Sequence, residues 1–565
     1  MSAENAELLG GFRPEDGPAW QRIRRYAVPG WMIEQATAHR LAGDWRAACA
    51  AAAVDVDFEL PELQARYGPA VAEAVAEDLR HLAPDLLRWH LPRLLGGRTT
   101  IALEMRILLA SYGGRGGPTL SVTTPLMSEG PQRLRLQCAP VVTKRNRYTG
   151  RGLVSEDWTA IRPFWDARCA SELGARFAAP DGLAERTAEL WARGETAEAY
   201  AAAGIECDLT VPPPQPHQRT SDPKAVLARM PVDLSRLVPE VARLVAAGAG
   251  NRFRIAAGWR RHLLLEHAGP DGLRARVVDQ AEAPAPLLPR YAWQRLPDLE
   301  LVRTGRITPR ELHPLVAAAL FPAAGPAAGP PGPESGEPVR VRCRGGWHEV
   351  RSRDGVLDVP HTPEEQQRER AMRAFGGAVS GCFAVQQTWT TGEGRLPRAL
   401  QAQRHDLFLR VQNGDTPGVV ALLDAGVDPR IRDARGRGLL HQLHLLDHDM
   451  LLPRLLAAGL DLEARDKAQR TPLLSAVHWG GSAELVRALL AAGSRIDVTD
   501  EMELSLSQEI RRYKRTDLAF LRDRVDGEFP GIGADWFDEH MEYREEYGDD
   551  EDEDGYEPED MDEDA

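Results

Sequence analysis

The last third of the chain repeats one short ending at a fixed period. The segments AGVDPRIRD, AGLDLEARD and AGSRIDVTD each follow a Leu-Leu pair, and their glycines at 426, 459 and 493 are spaced by 33 and 34 residues. Units of this length cannot bury an apolar face alone and become stable only by stacking on one another. The period therefore predicts a stack of short helix pairs over residues 404–525, in which residues 503–525 form a polar C-terminal cap.

The third copy, RTPLLSAVHWGGSAELVRALLAAG, carries the most specific pattern. Thr471 and Pro472 suit the start of a helix, Ala476 is small where neighbouring helices approach closely, and Gly493 ends the second helix. The Thr-Pro-Leu start and the Leu-Leu-x-x-Gly end resemble the ankyrin repeat family, and the resemblance is confined to about residues 404–525. As a whole, the chain resembles bacterial ankyrin repeat domain-containing proteins.

The resemblance implies a protein partner, because the variable positions of the turn and first helix usually contact one in this family. Tryptophan and arginine are frequent hot spots of such interfaces, and adjacent leucines leave an apolar step where an isolated stack would carry polar residues. Two alternatives stay open: this surface binds another protein, or it packs on the chain's own first 400 residues. The partner-binding candidates at these positions are Arg435, Arg437, Leu445, Leu446, Lys467, Arg470, His478 and Trp479.

The stretch HQLHLLDHD places His441, His444 and His448 at spacings of three and four, which would share one face of a continuous helix and could hold a metal ion. The register of the repeat favours another interpretation. The resemblance implies that His441 and His448 are ordinary ankyrin histidines that bond the backbone near turns, and His448 lies beyond the first helix. We therefore predict no metal site in this stretch.

Enzymatic signatures are missing from the sequence. It contains no H-E-x-x-H, no G-x-S-x-G and no Gly-Lys dipeptide, which excludes a Walker-type phosphate loop. Its six cysteines, at 49, 138, 169, 207, 343 and 382, are scattered without a C-x-x-C pair, which argues against a disulfide framework and a cysteine zinc site. We predict no catalytic, cofactor-binding or metal-binding residues and no cofactor, although residues 27–325 leave room for an unrecognised active site.

Residues 30–320 contain three collinear blocks that match at an offset of about 150. The segment 37–58 matches 187–209, DLRHLAPDLLR (78–88) matches DLSRLVPEVAR (233–243), and RILLASYGG matches RHLLLEHAG. The blocks predict a duplicated α+β module, with helices on a small antiparallel sheet. In its first unit we expect three strands before residue 139 and a closing helix that begins at VSEDW.

The net charge of −15 is concentrated at one end. Residues 538–565 contain seventeen acidic residues and one arginine, a charge of −16, so the rest of the chain is close to +1. This composition predicts a disordered acidic tail. The loop VTKRNRYTGRGL (142–153) combines basic residues with a tyrosine, which could hold single-stranded nucleic acid. Because the body carries no broad positive charge, we do not expect a nucleic-acid partner.

These observations predict an α+β, cytoplasmic protein that does not cross a membrane and acts as a non-catalytic scaffold for an unidentified protein. The alternatives are an enzyme whose active site lies in the duplicated module, and a nucleic-acid-associated regulator that uses residues 144–151. The predicted organisation is a flexible N-terminus (1–26), two α+β units (27–179 and 180–325), a Pro/Gly linker (326–338), an α/β connector made of a hairpin and a helix (339–403), an ankyrin α-solenoid with its cap (404–525) and a disordered acidic tail (526–565).

Overall fold

The chain combines helices and sheets, which confirms the predicted α+β class. The computed structural model describes residues 14–95, 98–114, 116–141, 154–178, 182–210, 222–258, 261–269, 272–279, 285–334, 336–375 and 380–547. The chain divides into two compact units: residues 1–334 with 409–419 form the first, and residues 335–408 with 420–565 form the second. The division after Glu334 falls within the segment predicted as a linker, 326–338.

The first unit contains a five-stranded sheet of mixed direction. The three strands that the sequence predicts form an antiparallel meander, and one parallel strand pairs with each side of the meander. Side chains alternate between the two faces: in the third meander strand Leu134, Leu136 and Cys138 are buried while the residues between them are not. The strands are β1 (Val54–Val56), β2 (Met105–Ser111), β3 (Thr119–Thr123), β4 (Leu134–Ala139) and β5 (Val154–Asp157), in the order β1-β4-β3-β2-β5.

The closing helix predicted from VSEDW is wrong. Residues Val154–Asp157 form β5, which pairs in parallel with Met105–Leu108 of β2. Ser155 has the chemistry of a helix cap, but β2 would otherwise leave its backbone groups unpaired at the sheet edge. Pairing with a distant strand therefore overrides the local helix signal.

A second, four-stranded sheet lies in the same unit. Its strands follow the order β6-β9-β8-β7, in which β6 is parallel to β9 and the other pairs are antiparallel. By position in this order β7 corresponds to β2, whereas the matched blocks RILLASYGG and RHLLLEHAG fall on β2 and β8. That block alignment therefore joins strands of similar composition rather than of equivalent position. The strands are β6 (Ile205–Asp208), β7 (Arg252–Gly258), β8 (Arg261–His267) and β9 (Leu273–Asp279).

Helices from both predicted α+β units contribute to one apolar core. This core includes Trp89 and Ile107 from the first half together with Leu237 and Leu263 from the second. The two segments 27–179 and 180–325 thus belong to one compact unit. The helices before residue 335 are α1 (Gly17–Tyr26), α2 (Gly30–Leu41), α3 (Trp45–Ala51), α4 (Leu60–Tyr67), α5 (Pro69–His81), α6 (Pro84–His90), α7 (Leu173–Phe177), α8 (Leu183–Ala192), α9 (Thr196–Ala202), α10 (Pro223–Arg229), α11 (Leu234–Ala246), α12 (Pro297–Arg303) and α13 (Pro314–Leu320).

The segment 1–26, predicted to be flexible, is helical from Gly17 onward, so that prediction is wrong for α1. Trp20 and Ile23 are buried on one face of this helix. Arg24 is 3% exposed and its guanidinium forms two hydrogen bonds, of 2.9 and 2.7 Å, with the carboxylate of Asp298. A buried bidentate ion pair fixes α1 to the fold.

The second unit begins with a three-stranded meander, β10 (Val339–Cys343), β11 (Gly346–Arg353) and β12 (Val356–Asp358), followed by α14 (Pro363–Ala374) and α15 (Gly381–Thr391). Thr362 caps the start of α14: its hydroxyl accepts from the Glu365 amide and the Glu365 carboxylate accepts from the Thr362 amide. The helices that follow are α16 (Arg398–Gln412), α17 (Thr416–Asp424), α18 (His448–Ala457), α19 (Pro472–His478), α20 (Ala483–Ala491), α21 (Leu506–Arg512), α22 (Ala519–Glu528) and α23 (Asp535–Tyr547).

The acidic tail predicted from residue 526 starts too early. The cap helix α22 continues to Glu528, and α23 follows, with Phe537 buried beside Leu504 and Ala534. Apolar side chains within the acidic segment give it a face to bury, which net charge alone does not reveal. Residues 548–565 lie outside the described part of the chain. None of the helices in the described residues combines the length and apolar character that crossing a membrane requires.

Candidate partner-binding surface

Three turns of the second unit are built in the same way. Each begins with an aspartate: Asp433, Asp466 and Asp500. The backbone N–H of each aspartate donates to the carbonyl four residues later, at 3.0, 3.1 and 3.1 Å. Each carboxylate in turn accepts the backbone N–H of that fourth residue, at 2.9, 2.9 and 3.0 Å. The repeated aspartate therefore closes each turn on itself, since its side chain satisfies a donor that the turn would otherwise leave open.

Successive turns are also bonded to each other. The Lys467 amide donates to the Arg435 carbonyl at 2.9 Å, and the Glu501 amide donates to the Ala468 carbonyl at 2.9 Å. In both links the residue directly after one aspartate donates to the second residue after the preceding aspartate. The side chains at the tips of the turns therefore stand side by side along one continuous edge.

The first helix of the third repeat follows the predicted pattern. The Thr471 hydroxyl accepts from the Leu474 amide at 3.3 Å and Pro472 occupies the first turn of α19. Ser475 and Ala476 are buried, as their small size in a close-packed stack leads one to expect. In the second repeat the corresponding segment, Leu440–Leu445, is a 3-10 helix.

Four of the eight partner-binding candidates present side chains at the surface. Arg435 and Lys467 are exposed at the tips of the first two turns. Leu445 and Trp479 are half-buried at the ends of the first-helix segments. These four are the candidates whose side chains are accessible to another molecule.

Arg437 and Arg470 are engaged within the stack. The Arg437 Nε donates to Asp433 Oδ2 at 2.8 Å, and the Arg470 guanidinium lies 3.5 Å from Asp500 Oδ2 of the next turn. Their side chains are 16% and 14% exposed. Both arginines therefore stabilise the turns, which leaves little of either side chain for a partner.

His478 and Leu446 are buried. His478 Nδ1 lies 3.0 Å from Glu509 Oε2 of the cap helix α21, and its ring meets Tyr513 edge-on at 5.2 Å. Leu446 is 9% exposed. Of the leucine pair predicted to leave an apolar surface, only Leu445 is therefore partly accessible. Glu509 lies 31 residues after His478 in the sequence, so no local sequence pattern predicts this contact.

In HQLHLLDHD, His441 and His448 lie where the ankyrin resemblance implies. His441 accepts from the Gly438 amide at 3.2 Å, and its Nε2 lies 2.9 Å from the Ala464 carbonyl. Burial, reinforced by the charge of Arg432, lowers the pKa of His441 to about 4. His448 is the first residue of α18, with its ring 3.6 Å from the Asp449 carboxylate rather than on a helix face shared with His441.

One group of side chains in the described residues could hold a metal ion, and none of these three histidines belongs to it. The group consists of Cys343, His348, His361 and Cys382. The scattered positions of the cysteines in the sequence argue against a cysteine zinc site. The fold overturns that argument, because it brings Cys343 and Cys382 together. The signal in the sequence was Cys343 five residues before His348, across the two-residue turn of a predicted hairpin.

The first unit contains a small cleft that opens to solvent. Its lining combines aromatic rings with His90, Arg93, Glu156 and Arg290. Glu156 and Arg290 form an ion pair of 2.9 Å, and burial raises the pKa of the Glu156 carboxyl. The basic loop 142–153, the other alternative site, lies outside the described residues.

Residues 407–500 match the family model for ankyrin repeats, in three copies. The match covers the region in which the three aspartate-closed turns lie. No curated protein matches the chain.

Proposed function

We propose, from the premise that this is an ankyrin repeat-containing protein, that it acts as a non-catalytic scaffold in the cytoplasm and binds a partner protein along the tips of its ankyrin turns. Ankyrin repeats are generally protein–protein interaction modules. One observation carries the proposal: backbone hydrogen bonds join the turns and align Arg435 and Lys467, both exposed, along one edge. A preorganised edge loses little conformational freedom when it binds.

The charges along this edge suggest the character of the partner. The first two turns carry Arg435 and Lys467, whereas the third carries Glu501 and Glu503, and all four are exposed. Met502, 43% exposed, lies between the two glutamates. A complementary partner presents carboxylates opposite the first two turns and basic groups opposite the third, an arrangement that sets orientation and speeds association.

Charge reversal tests this function with little risk to the fold. The double variant Arg435→Glu/Lys467→Glu changes two exposed tips. The control Arg487→Glu/Arg522→Glu makes the same change in net charge at arginines of α20 and α22 whose side chains are 57% and 41% exposed. Full-length proteins serve as bait in native extract, and captured proteins are quantified. We expect the tip variant to lose partners that the wild type and the control retain. Equal recovery by all three proteins would contradict the proposal.

We further propose that the two sheets of the first unit are internal duplicates. The order β1-β4-β3-β2 recurs as β6-β9-β8-β7. The Ala83 amide donates to the Trp165 carbonyl at 2.8 Å just before α6, and the Asp233 amide donates to the Trp293 carbonyl at 2.7 Å just before α11. The helices that follow these bonds start 150 residues apart, at Pro84 and Leu234, whereas the blocks 78–88 and 233–243 align at an offset of 155.

A second candidate function is small-molecule binding or catalysis in the cleft of the first unit. A buried carboxyl with a raised pKa, paired with Arg290 in a cleft that His90 also lines, is suited to acid–base chemistry. We expect a ligand for this cleft to raise the melting temperature of the wild type but not of Arg93→Ala. A metabolite panel that stabilises neither protein would exclude this candidate for the compounds tried.

A further inference from the structure

Four side chains of the second unit converge from four separate elements. Cys343 ends β10, His348 lies in β11, His361 precedes α14 and Cys382 lies in the first turn of α15. One ligand atom from each residue, sulfur or ring nitrogen, lies within 4.8 Å of all the others. This group is distinct from the ankyrin edge and does not contribute to the proposed partner surface.

The hairpin geometry places the first pair. Arg344 and Gly345, with φ of 49° and 87°, form a two-residue turn of the kind that matches the twist of a hairpin. Val341 pairs with His348, and Cys343 lies two residues beyond Val341, so Cys343 and His348 project from the same face.

A glycine admits the fourth ligand. Gly381 has a φ of 58°, and a Cβ added there would lie 2.6 Å from the sulfur of Cys343. Only glycine both adopts this backbone conformation readily and lets α15 start against that sulfur. The close approach brings the sulfur of Cys382, the next residue, to 3.5 Å from His348 Nδ1.

The interatomic distances fit a tetrahedral zinc ion. Bond lengths of about 2.3 Å to sulfur and about 2.05 Å to nitrogen separate two nitrogens by about 3.3 Å, and a sulfur and a nitrogen by about 3.6 Å. The observed separations are 3.2 Å between His348 Nδ1 and His361 Nε2, 3.6 Å between Cys343 Sγ and His361 Nε2, and 3.5 Å between Cys382 Sγ and His348 Nδ1. Hydrogen bonding is a poor alternative explanation, because thiols are weak donors.

The surroundings fit a structural site. His361 Nδ1 lies 3.2 Å from Glu365 Oε2, and a carboxylate at that nitrogen holds the proton there and directs the lone pair of Nε2 into the cluster. The Cys343 and Cys382 residues are 4% and 0% exposed and the His361 side chain is 3% exposed. His348 is half-buried, and four protein ligands around one ion leave no open position for a substrate.

We propose that Cys343 Sγ, His348 Nδ1, His361 Nε2 and Cys382 Sγ bind one structural Zn²⁺ ion. Binding displaces the proton of each thiol, and the two thiolates neutralise the charge of the ion. The ion ties the β10–β11 hairpin to the starts of α14 and α15. Two thiolates with two imidazoles in tetrahedral array select zinc over magnesium or calcium, which prefer oxygen ligands.

The test uses full-length protein purified under reducing conditions without chelator. Elemental analysis should find about one zinc per chain in the wild type and in Cys207→Ser, a control at a half-buried thiol of the first unit, and much less in Cys343→Ser and Cys382→Ser. Glu365→Gln keeps a residue able to complete the capping box and should weaken zinc binding about 10- to 100-fold, whereas the neighbouring Glu364→Gln should not.

A spectroscopic measurement does not depend on how the cysteine variants fold. Wild-type protein loaded with Co²⁺ should show the intense visible bands of tetrahedral cobalt together with thiolate-to-metal charge transfer. Wild-type protein that holds no zinc and gives only the weak spectrum of octahedral cobalt would overturn the proposal. A Cys343–Cys382 disulfide under the same reducing conditions would also overturn it.

Discussion

The indole Nε1 of Trp31 donates a hydrogen bond of 2.7 Å to Oδ1 of Asp415. Asn413 Nδ2, two residues before that aspartate, donates to Thr99 Oγ1 at 3.1 Å. Residues 409–419 thus pack within the first unit, although they lie in the region that matches ankyrin repeats. For this part of the first repeat the chain itself supplies the packing partner. The turns of the later repeats retain exposed tips.

Asp415→Ala should destabilise the protein strongly. Its Oδ2 accepts from Arg410 at 2.8 Å, both side chains are 2% exposed, and its Oδ1 also accepts the Gly418 amide at the start of α17. Removing the carboxylate takes a charged hydrogen-bond partner from a buried guanidinium, and we expect a loss of about 3–5 kcal/mol in the free energy of unfolding. Chemical denaturation measures it.

The matched control for that variant is Asp424→Ala. Asp424 also pairs with an arginine, Arg454 at 2.7 Å, but its side chain is 64% exposed. Solvent screens such a pair, and its loss should change the free energy of unfolding by less than about 1 kcal/mol. Equal effects of the two substitutions would show that burial does not determine the contribution of Asp415.

Asp298→Ala should show that α1 is part of the fold. The Asp298 carboxylate accepts from Arg24 twice and from Trp89 Nε1 at 3.0 Å, and it is fully buried. We expect a loss of about 3–5 kcal/mol and faster proteolysis after Arg24 or Arg25. The control Glu334→Ala removes a 77% exposed partner of Arg25 and should leave both measurements near the wild type. An Asp298→Ala protein as stable as wild type would mean that α1 is dispensable.

The stability of the second unit should fall as the pH falls through the titration of His441. Its pKa is about 4 in the fold against 6.5 ordinarily, so the unfolded chain binds the proton more readily between these values. The shift corresponds to a loss of about 2 kcal/mol between pH 7 and pH 5.

The difference between variants isolates this contribution from other titrating groups. His441→Asn should reduce the change in free energy of unfolding between pH 7 and pH 5 relative to wild type. The control His448→Asn removes a histidine of α18 whose side chain is 18% exposed, and it should retain the contribution of His441. Identical pH dependence in wild type and His441→Asn would refute the depressed pKa.

The ankyrin region could be predicted because its signals are local and repeated. The aspartates at 433, 466 and 500 close their own turns, and Thr471 caps its own helix. The cluster around Cys343 could not be derived in this way, because its fourth ligand follows 39 residues later and reaches the site only through Gly381. The same applies to β5, whose strand conformation depends on pairing with β2 rather than on its own residues.

The partner-binding candidates also differ in how far the sequence could predict their exposure. The sequence identifies which positions face outward in an ankyrin repeat but not which of them the chain already uses. Arg470 pairs with Asp500 of the next turn and His478 with Glu509 of the cap, so both are committed within the stack. The sequence does not mark Arg435 and Lys467 as exposed tips. Their exposure is evident only in the fold.

The most direct measurement of the central claim is site-specific photo-crosslinking in native extract. A photoreactive amino acid replaces Lys467 at the tip of the second turn or, as control, Arg487 on α20, both exposed positions of the second unit. We predict a discrete adduct of full-length protein with a partner from position 467 and none from position 487. No adduct from position 467, or the same adduct from both positions, would contradict recognition along the turn edge.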